Sequence, residues 1–313
     1  MPKAFGFIID PPETLSIEMD TTVLMISECC ARGIDVFITT PGSLLVKNNV
    51  LLSRWTRCTY RKGSNFLESL GDTIEASADD LCAILFMRKD PPVDAHYRAL
   101  AHMLAFANVK VVNDPSVLLT KNEKLVPLAG PYAIRDTYVS NDALFLLELV
   151  KTSGIKWVIK PLADKGGNGI HLLDAAKRTN EDIIRRATGD GREAVIVQRY
   201  LDDVKSGDKR VFMLHGAPIG WMNRLPPAGD FRANIHLGAT PLACALSAQD
   251  LEICEWVNSE IAADQTPMIA IDIIGGHLSE VNITSPSGIP EINRVSQQAL
   301  EKTIVDFFLT QLF

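Results

Sequence analysis

Glu280 and Asn282 stand two residues apart within the apolar run 278–284. Positions two apart on a strand point to one face, so the two side chains share a surface. Asp272 interrupts a second apolar run, 268–274, and Gly275-Gly276 between the runs signals a hairpin. A carboxylate in a buried strand is costly unless it is paired or holds a metal. Oxygen donors without thiolate or imidazole suit magnesium, which takes one or two carboxylates plus substrate phosphates. A solvated face of an edge strand is the alternative; the Ala, Ile and Val residues around the acids favour the metal. Register decides whether Asp272 joins. A regular two-residue turn sets Asp272 opposite Ser279, on the other face from Glu280. A three-residue turn including His277, or a bulge, sets Asp272 opposite Glu280.

Other candidates are weaker singly. Lys160 ends the strand signal Trp157-Val158-Ile159 and can reach a phosphate as a point charge. Alone it reads more simply as a lysine snorkelling at a strand end. Gly166, Gly167 and Gly169 follow, a loop able to turn backbone N–H groups toward phosphates or simply to make a turn. Neither G-x-x-x-x-G-K-[ST] nor G-x-G-x-x-G occurs. Arg88 opens Arg88-Lys89-Asp90-Pro91-Pro92 at the carboxyl end of a strand signal, where ligands of parallel sheets bind. A ligand contact and a solvated turn fit it equally. Asp208 and Arg210 begin one strand signal and Arg224 ends another; surface ion pairing is the simpler account of each. Ser285-Pro286-Ser287 precede a helix signal, where hydroxyls and a helix N-terminus suit a carboxylate, with capping as the alternative. The six histidines form no ligand cluster.

The elements that must position these groups follow from periodicity. Residues 4–9, 34–38, 83–87 and 109–112 read as strands, and 17–32 and 95–107 as helices. This alternation predicts a mostly parallel sheet with helices on both faces. Strands are expected at 156–160, 194–199, 210–214, 218–224, 268–274 and 278–284, with helices near 179–187, 247–262 and 295–311. Changes of pattern suggest three domains: 1–120, 121–200 and 201–313. The formal charge of −7 argues against a nucleic-acid partner. Six cysteines without a C-x-x-C pair read as plain thiols of a reducing compartment. No run approaches a membrane span, and the first ten residues are too short in apolar character for a signal peptide, so a cytoplasmic protein without a membrane partner is expected.

Several ordered segments resemble bacterial-type glutathione synthetase, a family of the ATP-grasp superfamily. They include Phe7-Ile8-Ile9-Asp10-Pro11, Met87-Arg88-Lys89-Asp90-Pro91-Pro92, Asn122-Glu123-Lys124-Leu125, Ile159-Lys160-Pro161-Leu162, Gln198-Arg199-Tyr200-Leu201, Gly207-Asp208-Lys209-Arg210 and Glu280-Val281-Asn282-Ile283-Thr284-Ser285-Pro286. The resemblance implies an N-terminal parallel α/β domain, a central lid and a C-terminal α+β domain, the last two forming the ATP-grasp fold. It implies that Lys124 and Lys160 contact ATP phosphates, with Gly166 and Gly167 in the phosphate loop. Gln198, Tyr200 and Leu201 would lie beside adenine and Asp208 near the ribose. Arg210 and Arg224 would be catalytic, facing the transferring phosphoryl group. Asp272, Glu280 and Asn282 would hold magnesium, or manganese in its place. Arg88, Arg232, Asn234, Ser285, Pro286 and Ser287 would line the peptide substrate site.

The reaction implied is ligation of γ-glutamylcysteine to glycine through an acyl phosphate, in a homo-oligomer, by family analogy a tetramer. Two stretches depart from the family. The loop after Lys160 reads Ala163-Asp164-Lys165-Gly166-Gly167 where the family typically has Asp-Gly-x-Gly-Gly. The segment after Arg232-Ala233-Asn234 reads Ile235-His236-Leu237-Gly238-Ala239, bulkier than the family's glycine-rich run. Two further readings therefore stand beside the first: an ATP-grasp ligase for a different carboxylate–amine pair, and a nucleotide-binding protein without ligase activity. Lys124, Lys160, Arg210, Glu280 and Asn282 together argue against the second of these.

Overall fold

The structure is a computed structural model that describes residues 4–60 and 67–311. Its first sheet comprises β1 (Ala4–Ile9), β2 (Val36–Thr39), β3 (Leu45–Lys47), β4 (Val50–Thr59), β5 (Glu68–Ser69), β6 (Ile74–Ser77), β7 (Cys82–Arg88) and β8 (Lys110–Val112). Helices α1 (Thr21–Ala31), α2 (Ala78–Leu81), α3 (Ala95–Leu104) and α4 (Pro115–Thr120) connect or follow them. The strand order is β3-β4-β2-β1-β7-β8, with β5 and β6 also on β4. The pairs β1–β2, β1–β7 and β7–β8 are parallel. β4 is antiparallel to β2 and carries its antiparallel partners with it. The expected parallel sheet is therefore the centre of a mixed one. β4 escapes periodicity because Ser53 occupies a buried position between Leu51 and Trp55, breaking the apolar alternation. The first helix also starts later than residue 17. Asp20 caps it, its Oδ1 accepting from the N–H groups of Thr22 (2.6 Å) and Val23 (3.3 Å), and an N-cap residue is by its nature non-helical.

The second sheet, order β11-β10-β12-β9, contains β9 (Thr137–Ser140), β10 (Trp157–Pro161), β11 (His171–Leu173) and β12 (Val195–Arg199). All its pairings are antiparallel. Helices α5 (Ala143–Thr152) and α6 (Asn180–Ala187) cover it. Leu146, Trp157, Ile159, Ile184 and Val197 form a core that belongs to this sheet alone.

The third sheet, order β15-β14-β13-β16-β17, contains β13 (Asp208–Leu214), β14 (Ala217–Leu225), β15 (Thr240–Leu242), β16 (Met268–Ile274) and β17 (His277–Asn282). Helices α7 (Ala248–Glu260), α8 (Ile289–Ser296) and α9 (Leu300–Thr310) complete the chain. The first and third sheets share their cores. Phe5, Phe7 and Phe86 pack with Met25 of α1, Phe212 of β13 and Phe308 of α9. The Phe86 and Phe308 rings meet edge-on at 4.8 Å. On the other face, Ile8, Leu85 and Met87 pack with Tyr97 of α3 and with Ile253 and Ile271 of the third unit. Each such buried side chain contributes roughly 1.5–3 kcal/mol by leaving water. The chain thus returns to its own beginning, and the carboxyl end of β7 meets the loop between β17 and α8. Arg88 NH2 donates to the Pro286 carbonyl at 3.0 Å, 198 residues away in sequence.

Candidate active site

A cleft of about 720 Å³ opens between the second and third sheets and reaches the carboxyl ends of β1 and β7. Every candidate residue named from the sequence lines it except Gly169 and Pro286. Pro286 contributes its carbonyl, which anchors Arg88.

The centre is a row of charges across the third sheet, set by register. Arg210 on β13 pairs with Asp272 on β16, which pairs with Glu280 on β17; Asp208 pairs with Arg224 on β14. The β16–β17 turn has two residues, Gly275 and Gly276, both at positive φ (54° and 76°). Ile274 faces His277 and Ile273 faces Leu278, yet Asp272 faces Glu280. Ser279 is the extra residue of a bulge, and the bulge puts the two acids on one face. This is the second of the arrangements under which Asp272 joins Glu280.

Asp272 is 4% exposed and is claimed by both arginines. Arg210 donates to it through Nε (2.9 Å) and NH2 (2.8 Å), a bidentate fork. Arg224 NH2 lies 2.9 Å from Asp272 Oδ1 and 2.8 Å from Asp208 Oδ2. Burial alone would raise the Asp272 pKa, but the two guanidiniums hold it well below the usual carboxylate range. At Asp208 burial outweighs Arg224 and pushes the pKa up to about 6. Asp208 Oδ1 is buried without a hydrogen-bond partner. Surface ion pairing, the simpler account of these residues, is corrected here: Arg224 is only 3% exposed. An arginine at a strand end looks alike in sequence whether its strand is an edge or, like β14, is paired on both sides.

Glu280 Oε1 lies 3.0 Å from Lys124 Nζ, which also donates to the Asp164 carbonyl at 2.6 Å. Burial would lower the Lys124 pKa; Glu280 and Glu123 outweigh it and raise it. Lys160, inside the cleft, is lowered by burial and donates to Gln198 Oε1 (3.1 Å) and Ser279 Oγ (3.3 Å). The bulged serine thus braces a lysine of another sheet, a role no local pattern signals. Asn282 Nδ2 donates to the Ala270 carbonyl (3.1 Å) and Asp272 Oδ2 (3.3 Å). Two carboxylates and an amide on one face form an all-oxygen donor set of the kind magnesium accepts. Among the described residues no group of three or more His, Cys, Asp or Glu is gathered for a metal.

Around this row stand the remaining candidates. Gly166 and Gly167 adopt positive φ (69° and 82°), and Arg232 NH1 donates to the Gly167 carbonyl at 3.3 Å. A Cβ on Gly167 would come within 2.9 Å of Leu237 Cδ1, so the bulky 235–239 segment closes on the glycine loop. Asn234 caps the turn Ile235–Leu237 by accepting from His236 N–H at 2.8 Å. Gln198 is buried and donates to Thr137 Oγ1 at 3.0 Å; Tyr200 meets Phe231 edge-on, with ring centres 6.0 Å apart. Ser287 offers its carbonyl (3.4 Å) and Oγ (3.5 Å) to Arg210 NH1. Sequence reading missed Asp20, and it named Lys165 only as a departure in the glycine loop. Asp20 followed by Thr21-Thr22 is an N-cap signal that could have been found. Lys165 pairs with Asp90, a contact across 75 residues without a sequence signal.

Comparisons with known proteins identify the family and the fold. The description of the prokaryotic glutathione synthetase N-terminal domain matches residues 4–118, and that of its ATP-grasp domain matches residues 123–297. Glutathione synthetase of Gloeobacter violaceus is 36% identical, covering 97% of this chain and 95% of that protein. That of Synechocystis sp. is 34% identical, covering 96% and 97%. Among solved structures, the D-cycloserine synthetase DcsG superposes with a TM-score of 0.69 at 12% identity, covering 99% of this chain and 100% of that one. The VanG D-Ala:D-Ser ligase of Enterococcus faecalis superposes with a TM-score of 0.63 at 14% identity, covering 99% and 100%. At such identities these two speak for the fold, which is that of ATP-grasp ligases. With both domain descriptions matched in tandem and relatives aligned nearly end to end, the chain belongs to the prokaryotic glutathione synthetase family.

Proposed function

We propose that this chain joins γ-glutamylcysteine to glycine with ATP, forming glutathione, ADP and phosphate. The observation that carries this is the row Arg210–Asp272–Glu280, with Lys124 and Lys160 reaching it from outside the third sheet. The cysteinyl carboxylate attacks the γ-phosphorus; the bond from that phosphorus to the β-bridging oxygen breaks and ADP leaves. The glycine amine then attacks the acyl phosphate, loses a proton, and phosphate departs. A carboxylate is a poor electrophile, and phosphorylation gives it a leaving group. Arg210 and Arg224, held by Asp272 and Asp208, are oriented before the substrate arrives, so stabilising charge on the moving phosphoryl group needs little reorganisation. Lys124 and Lys160 bind phosphate oxygens; Gly166 and Gly167 offer backbone N–H groups, and the 235–239 segment over them excludes water from the acyl phosphate. Gln198, Tyr200 and Leu201 border adenine and Asp208 lies on the ribose side, while Arg88, Arg232, Asn234 and the 285–287 loop border the peptide.

Glu280 and Asn282 would hold magnesium, with Asp272 as the third donor, and manganese fits the same oxygens. When bound, the metal supplies positive charge against the phosphate oxygens. The segments 1–120, 121–200 and 201–313 are proposed as N-terminal domain, lid and catalytic domain of a cytoplasmic homo-oligomer, a tetramer by family analogy. Among the described residues no helix is long and apolar enough to cross a membrane.

Phosphate release by purified protein given ATP, magnesium, γ-glutamylcysteine and glycine tests the function. Turnover is expected, and Glu280→Ala should lower it by about a hundredfold or more. Silence with this pair but turnover with another carboxylate and amine would shift the assignment to the 235–239 departure. Near-normal turnover in Glu280→Ala would sink the metal site.

A further inference from the structure

The loop 162–168, between β10 and β11, is held mostly from outside its own sheet. Within it, the Asn168 N–H donates to the Lys165 carbonyl at 3.1 Å. The other bonds come from elsewhere. Asn122 Nδ2 donates to the Leu162 carbonyl (3.1 Å) and Lys124 Nζ to that of Asp164 (2.6 Å). The Val93 N–H donates to the Ala163 carbonyl (2.9 Å), and Arg232 NH1 to that of Gly167 (3.3 Å). Lys165 pairs with Asp90, and among the described residues no other side chain of the loop makes a hydrogen bond or an ion pair. Substrates reassign part of this grip. Under the function proposed above, phosphate takes Lys124 and the peptide takes Arg232, which draws both donors away from the loop. Asn122 and Val93 hold only its root, at 162–163. Beside the glycines, the Lys165–Asp90 pair is what remains. Asp90 is itself fixed: its N–H donates to Asp10 Oδ2 (2.9 Å) and its carbonyl accepts from Lys89 Nζ (2.6 Å). The pair joins the first sheet to the second, which share no core. Lys165 stands at the x of the family pattern Asp-Gly-x-Gly-Gly, so the pattern gives it no role.

We propose that Lys165 is a positioning residue: its pair with Asp90 clasps the glycine loop to the first sheet while Lys124 and Arg232 turn to the substrates, and so keeps water from the acyl phosphate. The proposal rests on the ligase function above. Water attacking the acyl carbon in place of the glycine amine breaks the same carbon–oxygen bond. It releases phosphate and a proton and returns the carboxylate, so one ATP is hydrolysed and no amide forms. Both side chains of the pair are 43% exposed, which makes it a modest force, a few-fold in equilibrium and screened by salt. A clasp of that strength suits a loop that must open at every turnover to admit substrates and release products.

The ratio of phosphate released to amide formed reads the clasp. In the wild type it should stay near one. Lys165→Met and Asp90→Asn should each raise the phosphate released without amide by roughly three- to fivefold. Combining Lys165→Asp with Asp90→Lys restores an ion pair of reversed sense and should bring the ratio back toward one. Salt at about 0.5 M should raise the excess in the wild type and leave Lys165→Met unmoved. An excess that rises with Lys165→Met but not with Asp90→Asn would put Lys165 on the nucleotide and overturn the clasp. So would an Asp90→Asn variant that raises only the KM for γ-glutamylcysteine, or an exchanged pair that rescues nothing. Hydrogen exchange at 163–168, with magnesium and a non-hydrolysable ATP analogue, reads the clasp without turnover. It should quicken in each single variant and return to the wild-type rate in the exchanged pair. Equal exchange in all of these proteins overturns the clasp. A wild type that makes no amide, with the exchange pattern as expected, would sink the ligase function and uphold the clasp.

Discussion

Asp208 and Asp272 share Arg224 yet titrate in opposite directions, and the difference lies in how many guanidiniums each receives. Asp208 touches one, so burial wins and its pKa rises to about 6. Asp272 touches two, which hold its pKa far below the ordinary 3.8. A raised pKa means that the folded chain takes up a proton which the unfolded chain does not. The stability from Asp208 is therefore complete below about pH 4 and lost as the pH rises through about 6. Asp272 does the reverse: its contribution is present above about 3.8 and lost as the pH falls below that. Melting temperatures from pH 7 to 3 should show both limbs in the wild type. Asp208→Asn should lose the upper limb and keep the acid fall. An unchanged upper limb in that variant would mean that another group titrates there.

At the scale of elements, the hairpin β16–β17 resolves a question that pattern leaves open. Parity places Glu280 and Asn282 together under any turn, as long as that strand stays regular beyond the bulge. The partner across from them depends on a single bulged residue, Ser279. The Gly-Gly turn at positive φ sets the start of the register and the bulge sets its end. Valine at Gly275 should strain the turn: φ there is 54°, and a Cβ would come within 2.6 Å of Asp203 Cγ. Gly275→Val is expected to cost about 1–3 kcal/mol in urea unfolding. It should also lower turnover more than binding of nucleotide, because the Asp272–Glu280 pairing shifts. A variant with normal stability and normal rate would show that the turn does not control the register. The late start of α1 carries a similar lesson: Ile17 has helical spacing, but Asp20 caps the helix, which begins at Thr21.

For the whole molecule, the distribution of cores matters more than the order of domains. The first and third sheets are bound through two shared cores, whereas the second sheet packs a core of its own. Residues 122–133 follow the third sheet: Val281 N–H donates to the Glu123 carbonyl and Leu278 N–H to the Tyr132 carbonyl, each at 2.9 Å. A ligand gripped by both Lys160 and Glu280 would thus tie the separately packed sheet to the rest. A non-hydrolysable ATP analogue with magnesium, at about a hundred times its Kd, should add roughly 2.7 kcal/mol, or about 4 °C in melting temperature for a cooperative chain of this length. Hydrogen exchange should slow in 163–170 and 235–239 together. Protection confined to the second sheet would argue against a ligand held between sheets.

Local chemistry was legible in the sequence because its periods are short. A spacing of two is enough to place Glu280 beside Asn282, a lysine ending an apolar run is enough to mark Lys160, and ordered segments were enough to identify the family. Edge and depth were not legible: Arg224 reads as a surface residue until β15 is seen to cover its strand. The contacts that decide the site join residues far apart, with Arg88 reaching across 66 positions to Thr22 and 198 to Pro286. Only the packed cores bring such groups together, since burial, unlike alternation, belongs to no single segment. Glu280 and Asn282 come from the strand itself; their opposition to Asp272, and the anchoring of Arg88 by Pro286, come from the tertiary structure.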